Sequence, residues 1–266
     1  MMNTTGKNKH IVYCNCRGER IPSVVKQAVE TSLQNAPVNC STITDLCGIS
    51  ALRKDLVAEI MQPGTDYMVI GCYKRTMDLL FSQGVDELQM PGISEHINLI
   101  ERSADEAAEK IAIFCNGQKG PAEHRQITED SGWPSWYPVI DHTRCTHCGQ
   151  CADFCLFGVF EKSGDQVKVV HPRGCKNNCP ACARICPSAA IIFPKYLHGG
   201  AIGGSDEIDE KAEQQRQARD IENILGEDLY EALERRKAKR RSIIREEIML
   251  KALAERDQVL GVSIKK

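Results

Sequence analysis

The sequence has no long hydrophobic run. Its longest apolar stretch, Tyr67 to Tyr73, falls far short of the roughly 20 residues that span a bilayer as a helix. It has almost no net charge: 34 Lys and Arg against 36 Asp and Glu give −2, so nothing in the balance demands a nucleic acid or an anionic membrane as partner. No apolar segment of the secretory type follows the polar opening Met-Met-Asn-Thr-Thr-Gly-Lys. A soluble, cytoplasmic protein without a membrane span is expected. There is no G-x-G-x-x-G, no phosphate loop and no nucleophile–base constellation. Gly199-Gly200 and Gly203-Gly204 do not make a phosphate loop, because no strand feeds them in the required way and no Lys-Ser or Lys-Thr follows. That stretch reads as a hinge.

Cysteine is what the chain has in excess, with 14 in 266 residues. Without a secretion signal, dense cysteine argues for metal rather than disulfides. Eight of them form two runs, Cys145-x2-Cys148-x2-Cys151-x3-Cys155 and Cys175-x3-Cys179-x2-Cys182-x3-Cys186-Pro187. A tight C-x2-C-x2-C loop turns three thiolates toward one iron–sulfur cube and leaves the fourth ligand to come from elsewhere. Zinc sites favour two separated C-x2-C pairs instead, so iron–sulfur is the reading.

The segment from Cys145 to Pro187 resembles the bacterial two-cluster [4Fe–4S] ferredoxins, in which the fourth cysteine of each run ligates the other cluster. On that pattern Cys145, Cys148, Cys151 and Cys186 hold the first cluster, and Cys175, Cys179, Cys182 and Cys155 hold the second. Two departures stand out. Leu156 replaces the proline usual after the first run, and one extra residue lies between Cys175 and Cys179. Neither removes a ligand. His147 and the Lys176-Asn177-Asn178 loop read as solvated loop residues, with cluster tuning and a docking surface as the respective alternatives. Gly158–Glu161 and Val167–His171 are expected to pair around Ser163-Gly164-Asp165.

Upstream, residues 9–116 alternate strand-like and helix-like segments, which implies a parallel sheet with right-handed crossovers. Strands are expected at His10–Tyr13, Val38–Ile43, Tyr67–Ile70 and Val85–Met90. Helices are marked by Ile21 to Leu33, by Ile49, Leu52, Leu56 and Ile60, by Thr76 to Ser82, and by Ile97, Ile100, Ala104, Ala108 and Ile111. Residues 117–137 read as a polar linker that ends in Trp133, Trp136 and Tyr137, for which packing is favoured over an electron-relay role. The ferredoxin-like α+β domain occupies 138–198.

Residues 205–266 are charged and read as a helical extension with narrow apolar stripes, among them Leu229, Leu233, Ile244 and Ile248, which must dock on something. The basic run of 235–241 has acidic residues a turn away, Glu231 before Arg235 and Glu247 after Arg241, and the segment is nearly neutral, so a salt-paired helix surface is favoured over a nucleic-acid site.

Of the other six cysteines, Cys14 and Cys16 follow the first expected strand, Cys47 the second and Cys72 the third. The carboxyl ends of parallel strands share one edge, where ligands bind, so these four can converge. The residue types admit a [4Fe–4S] cluster, a zinc ion, or thiols without metal. Cys40 and Cys115 read as buried packing residues. The motifs Val12-Tyr13-Cys14-Asn15-Cys16, Leu46-Cys47-Gly48 and Ile70-Gly71-Cys72-Tyr73-Lys74-Arg75-Thr76 resemble the N-terminal domain of the flavin-carrying subunit of heterodisulfide reductase. That resemblance implies a third [4Fe–4S] cluster on Cys14, Cys16, Cys47 and Cys72. The family's flavin loop is missing, so no flavin is expected on this chain.

Three functions compete. One is an electron-transfer subunit of a heterodisulfide-reductase-like complex, working with a flavin oxidoreductase or another iron–sulfur subunit. Another is an oxidoreductase that reduces a disulfide-type or other small substrate at the N-terminal cysteines. The last is a redox sensor, which no specific feature supports.

Overall fold

The computed structural model describes residues 8–16, 18–84, 92–118, 122–128, 131–164 and 166–225. Residues up to Gln214 belong to one compact unit, and a second begins at Gln215.

Five parallel strands form the main sheet: β1 (Asn8–Cys14), β2 (Asn39–Ile43), β3 (Thr65–Gly71), β4 (Ile93–Asn98) and β5 (His124–Ile127), in the order β4-β3-β1-β2-β5. Alternate residues go to opposite faces, and both faces are buried, as a parallel sheet requires. Ile11, Tyr13, Met68 and Ile70 pack with residues of α1 (Ser23–Gln34) and α5 (Ala104–Cys115). Val12, Cys14 and Val69 pack with residues of α2 (Leu46–Leu52), α3 (Lys54–Ile60) and α4 (Lys74–Phe81). The chain moves from β1 to β2 on one side and then crosses to β3 on the other. The order therefore reverses beside β1, and a crevice opens there at the carboxyl ends.

Several expectations change. The apolar residues from Ile97 onward are not one helix. Ile97 sits in β4, and α5 begins at Ala104, where Ser103 and Glu106 form a capping box. The helix expected through Ile49 to Ile60 is two helices, with Arg53 between them in a non-helical conformation (φ −135°, ψ 60°). The linker 117–137 is not free of structure, because His124–Ile127 adds an edge strand to β2. The strand expected at Val85–Met90 lies outside the described residues. Cys40 and Cys115 are buried, as expected.

The cysteine-run module is built on two antiparallel pairs. β6 (Val139–Ile140) pairs with β9 (Ile191–Ile192), and β7 (Phe160–Ser163) pairs with β8 (Gln166–Val169). A short helix begins after the second cysteine of each run and carries the third: α6 (Gln150–Phe154) with Cys151 and α7 (Ala181–Arg184) with Cys182. Tyr137, Val139 and Ile192 join the core on the α2–α4 side of the main sheet.

The glycine stretch 199–204 is packed rather than hinged. Phe193 N–H donates to Ile202 at 2.7 Å, and Thr76 Oγ donates to the Gly204 carbonyl at 3.2 Å. A Cβ on Gly204, which has φ +80°, would stand 1.9 Å from Thr76 Oγ1. Arg75 fixes the same seam. It pairs with Asp141 at 3.0 Å and donates to the carbonyls of Ala189 and Ala201, and the Arg75 and Asp141 side chains are only 12% and 7% exposed.

The last helix among the described residues, α8 (Glu210–Leu225), lies in the expected C-terminal extension, with an ion pair between Arg216 and Asp220 one turn apart. Leu229, Leu233, Ile244, Ile248 and the basic residues of 235–241 lie outside the described residues. Among the described residues no helix is long and apolar enough to cross a membrane.

Candidate metal centres

The two cysteine runs interleave. Cys145, Cys148 and Cys151 line a small cavity together with Cys186 from the second run. Cys155, from the first run, stands close enough to Cys175 and Cys182 that its charge raises their pKa values, and Cys179 acts on the same two thiols. The structure thus brings Cys186 beside Cys145, Cys148 and Cys151, and Cys155 beside Cys175, Cys179 and Cys182. The two groups are also adjacent, because Cys151 acts on Cys182 as well. Burial pushes Cys151 up to about 11 and Cys175 to about 12, with the neighbouring thiolates adding to the effect. A metal that binds thiolate must displace these protons, so loading releases acid. The Ala190 N–H donates to Cys186 Sγ at 3.3 Å, a contact of the kind that stabilises the more negative, reduced state of a bound cluster. His147 is half-buried in a left-handed conformation, with its Nδ1 at 3.8 Å from Cys145 Sγ and its ring stacked on His142. It is therefore less exposed than a solvated loop residue.

At the sheet's carboxyl edge, Cys14, Cys16, Cys47 and Cys72 line one cavity of about 300 Å³. Each arrives by a different local device. Cys14 ends β1, and Cys16 lies on the loop beyond it, which Lys26 of α1 ties down through the Cys16 and Gly18 carbonyls. Cys47 is in the first turn of α2, capped by Asp45, whose carboxylate accepts from Gly48 N–H at 3.3 Å. Cys72 follows β3. A Cβ on the preceding Gly71 would stand 2.9 Å from the Met77 side chain and 3.3 Å from Cys14, so the absence of a side chain lets β3 approach Cys14.

The thiols are not equivalent. Cys14 donates to Cys16, and this hydrogen bond, helped by the Gly18 N–H and by Lys26 and Lys195 against the cost of burial, lowers Cys16 to about 6. The same bond together with burial raises Cys14 well above its ordinary range. Burial and the Asp45 charge raise Cys47, and burial raises Cys72 to about 12. Among the described residues no three His, Cys, Asp or Glu side chains come close enough to hold a single metal ion.

The end of the linker and the cysteine-run module supply part of this second site. Tyr137 donates to the Cys47 carbonyl at 2.9 Å, and Ser135 donates to Asp45 at 2.6 Å. Lys195 Nζ donates to Asp45 at 2.8 Å and to the Pro134 carbonyl at 2.9 Å. Burial works against the Lys195 charge, but Cys47 and Asp45 outweigh it and raise its pKa. Arg20 stacks over Tyr73 at 4.8 Å and reaches the Gly203 carbonyl at 3.2 Å. Arg20 and Lys195 both line the cavity. Tyr137 was expected only to pack, and Ser135 and Lys195 were not evident in the sequence, since each is an ordinary polar type far along the chain from the residue it supports.

A 4Fe-4S binding domain family matches residues 138–159, which hold the first run. An uncharacterized ferredoxin of Methanocaldococcus jannaschii is 46% identical over 61 residues. The chain carries a ferredoxin-type [4Fe–4S]-binding module. The match takes in 23% of this chain and 42% of the relative, so the chain spans about two fifths of that ferredoxin's length. The family match accounts for the first cysteine run. It does not account for the α/β sheet or the cavity at its edge.

Proposed function

We propose that this chain is a three-cluster electron-transfer subunit of a redox complex. Two [4Fe–4S] clusters would be held by the crossed sets of the ferredoxin module, and a third by Cys14, Cys16, Cys47 and Cys72. The observation that carries the reading is the placing of four cysteines around one cavity at the sheet's switch point, directly against the ferredoxin module. Thiolates are the ligands such clusters take, and the four come from three strand ends rather than from the separated C-x2-C pairs typical of zinc. Lys26, Lys195 and Arg20 supply positive charge suited to an anionic cluster. When bound, each cluster accepts or gives one electron.

The likeness of residues 9–116 to the flavin-carrying subunit of heterodisulfide reductase supports a place in an assembly of that type. A flavin oxidoreductase or another iron–sulfur subunit would then be the partner. Leu156 and Phe157, 83% and 46% exposed and next to Cys155, give such a partner apolar surface close to the second cluster site. Electron paramagnetic resonance after anaerobic dithionite reduction tests the reading. Reduced-cluster signals are expected to integrate to more than the ferredoxin module alone can give, and a spectrum without any [4Fe–4S] signal would end it.

The solvent-facing rim of the N-terminal cavity, with Asn177, Asn178 and Leu197 exposed, favours one alternative. A disulfide could be reduced there by two electrons and two protons, giving two thiols. Disulfide-reducing turnover by the purified chain with an artificial electron donor, lost in Cys72→Ser while the ferredoxin clusters persist, would favour catalysis over relay.

A further inference from the structure

The wall between the N-terminal cysteine cavity and the second ferredoxin site is made from very few residues. Trp136 lines the cavity that holds Cys14, Cys16, Cys47 and Cys72. It also belongs to the core of the ferredoxin module with Cys182, and Cys175 packs against that core. Its ring stacks on Phe193, with centroids 5.0 Å apart and planes at 26°, and its Nε1–H points to the Cys179 carbonyl at 3.5 Å. It is 6% exposed. One indole therefore belongs to both sites.

Beside it, Asn177 and Asn178 line the same cavity. They belong to the loop between Cys175 and Cys179 that is one residue longer than in the ferredoxins it resembles. Asn178 takes a left-handed conformation, φ +58°, which asparagine tolerates better than most residues. The lengthened loop thus faces the N-terminal site through these two residues. By contrast, the cavity around Cys145, Cys148, Cys151 and Cys186 shares no lining residue with the N-terminal cavity.

We propose that Trp136 and the Asn177–Asn178 turn are positioning residues that couple the N-terminal site to the second ferredoxin site, so that the three sites form a line with the Cys175–Cys179–Cys182–Cys155 set in the middle. This rests on the third cluster proposed above. One electron leaves one site and enters the next. No bond forms or breaks, no proton moves, and the indole is not oxidised. Trp136 acts by filling the gap with packed atoms.

The test uses the full chain, loaded with iron and sulfide under anaerobic conditions. In the fully reduced wild type, pulsed electron paramagnetic resonance is expected to show spin–spin broadening of the N-terminal cluster signal. That broadening should disappear in Cys179→Ala and survive in Cys148→Ala. After pulse-radiolytic reduction, Trp136→Leu should slow electron equilibration between the N-terminal site and the ferredoxin module with iron content unchanged. Trp136→Phe, which keeps the stack on Phe193, should stay near wild type. A wild-type chain with three clusters and no magnetic coupling of the N-terminal signal would overturn the proposed line, and so would broadening that vanishes in Cys148→Ala instead. The wild-type measurement decides the matter even if Trp136→Leu fails to fold. A wild-type chain with iron for only two clusters would remove the third cluster itself, a failure distinct from the other two.

Discussion

Gly204 and Arg75 lie on the seam between the α/β sheet and the ferredoxin module, and each is set by close contact. At Gly204, an alanine would meet Thr76 Oγ1 and a left-handed backbone together. Gly204→Ala is expected to cost about 2–5 kcal/mol, from αL strain and overpacking, read as a lower denaturation midpoint. Arg75→Met leaves Asp141 buried without its partner, and a loss of about 3–5 kcal/mol is expected in the same assay.

The Asp141 carboxyl also has a pH signature. Burial opposes its ionisation, but hydrogen bonds from Thr143 and Arg75 and the Arg75 charge outweigh this and hold its pKa below the usual value. A carboxylate depressed in the folded state contributes stability that is fully present above its unfolded pKa, about 3.9, and is lost as pH falls through the lower folded value. Wild type should therefore converge on Asp141→Asn in stability as pH drops below about 4. Comparing the two chains at each pH cancels the acid loss of cluster ligands that they share. A stability gap that persists unchanged in acid would contradict the assignment. At the N-terminal site, Lys195→Met removes a buried charge next to Cys47 and Cys16. A potentiometric titration should show the N-terminal cluster shifted to lower potential and the ferredoxin clusters in place.

At the scale of elements, the cysteine runs were the most legible feature, because ligand spacing inside a run is local and stands out from any background. The convergence of Cys14, Cys16, Cys47 and Cys72 was legible for a topological reason: parallel strands put their carboxyl ends on one edge, whatever the loops do. The clamp was not. Ser135 and Lys195 meet Asp45 across 90 and 150 residues of chain. Nothing in their local spacing signals that meeting. Edge strand β5 was missed for another reason. His124, Arg125 and Gln126 are exposed and only Ile127 is buried, so the segment lacks the alternation that marks a half-buried strand. The spacing of Ile97, Ile100 and Ala104 fits a helix by coincidence, and the capping box at Ser103 is the signal that sets the boundary correctly. The clamp makes its own prediction. Tyr137→Phe removes the hydrogen bond to the Cys47 carbonyl and should cost about 1–3 kcal/mol, because that carbonyl stays buried.

Taken whole, the first unit joins the α/β sheet, with its cysteine-lined cavity, to the ferredoxin module through one shared core. Tyr137, Val139 and Ile192 pack with the sheet's own residues, and Trp136 packs with both cysteine sites. Loss of the ferredoxin clusters should therefore loosen the N-terminal site too, since Lys195 comes from the ferredoxin module and Ser135 and Tyr137 from the segment that leads into it. The central claim is that twelve of the fourteen cysteines hold three cubes. Iron and acid-labile sulfide counted on the anaerobically purified or reconstituted full chain test it most directly. The account predicts about twelve of each per chain, falling to about eight when Cys14 and Cys72 are both replaced by serine. About eight in the wild type would contradict it.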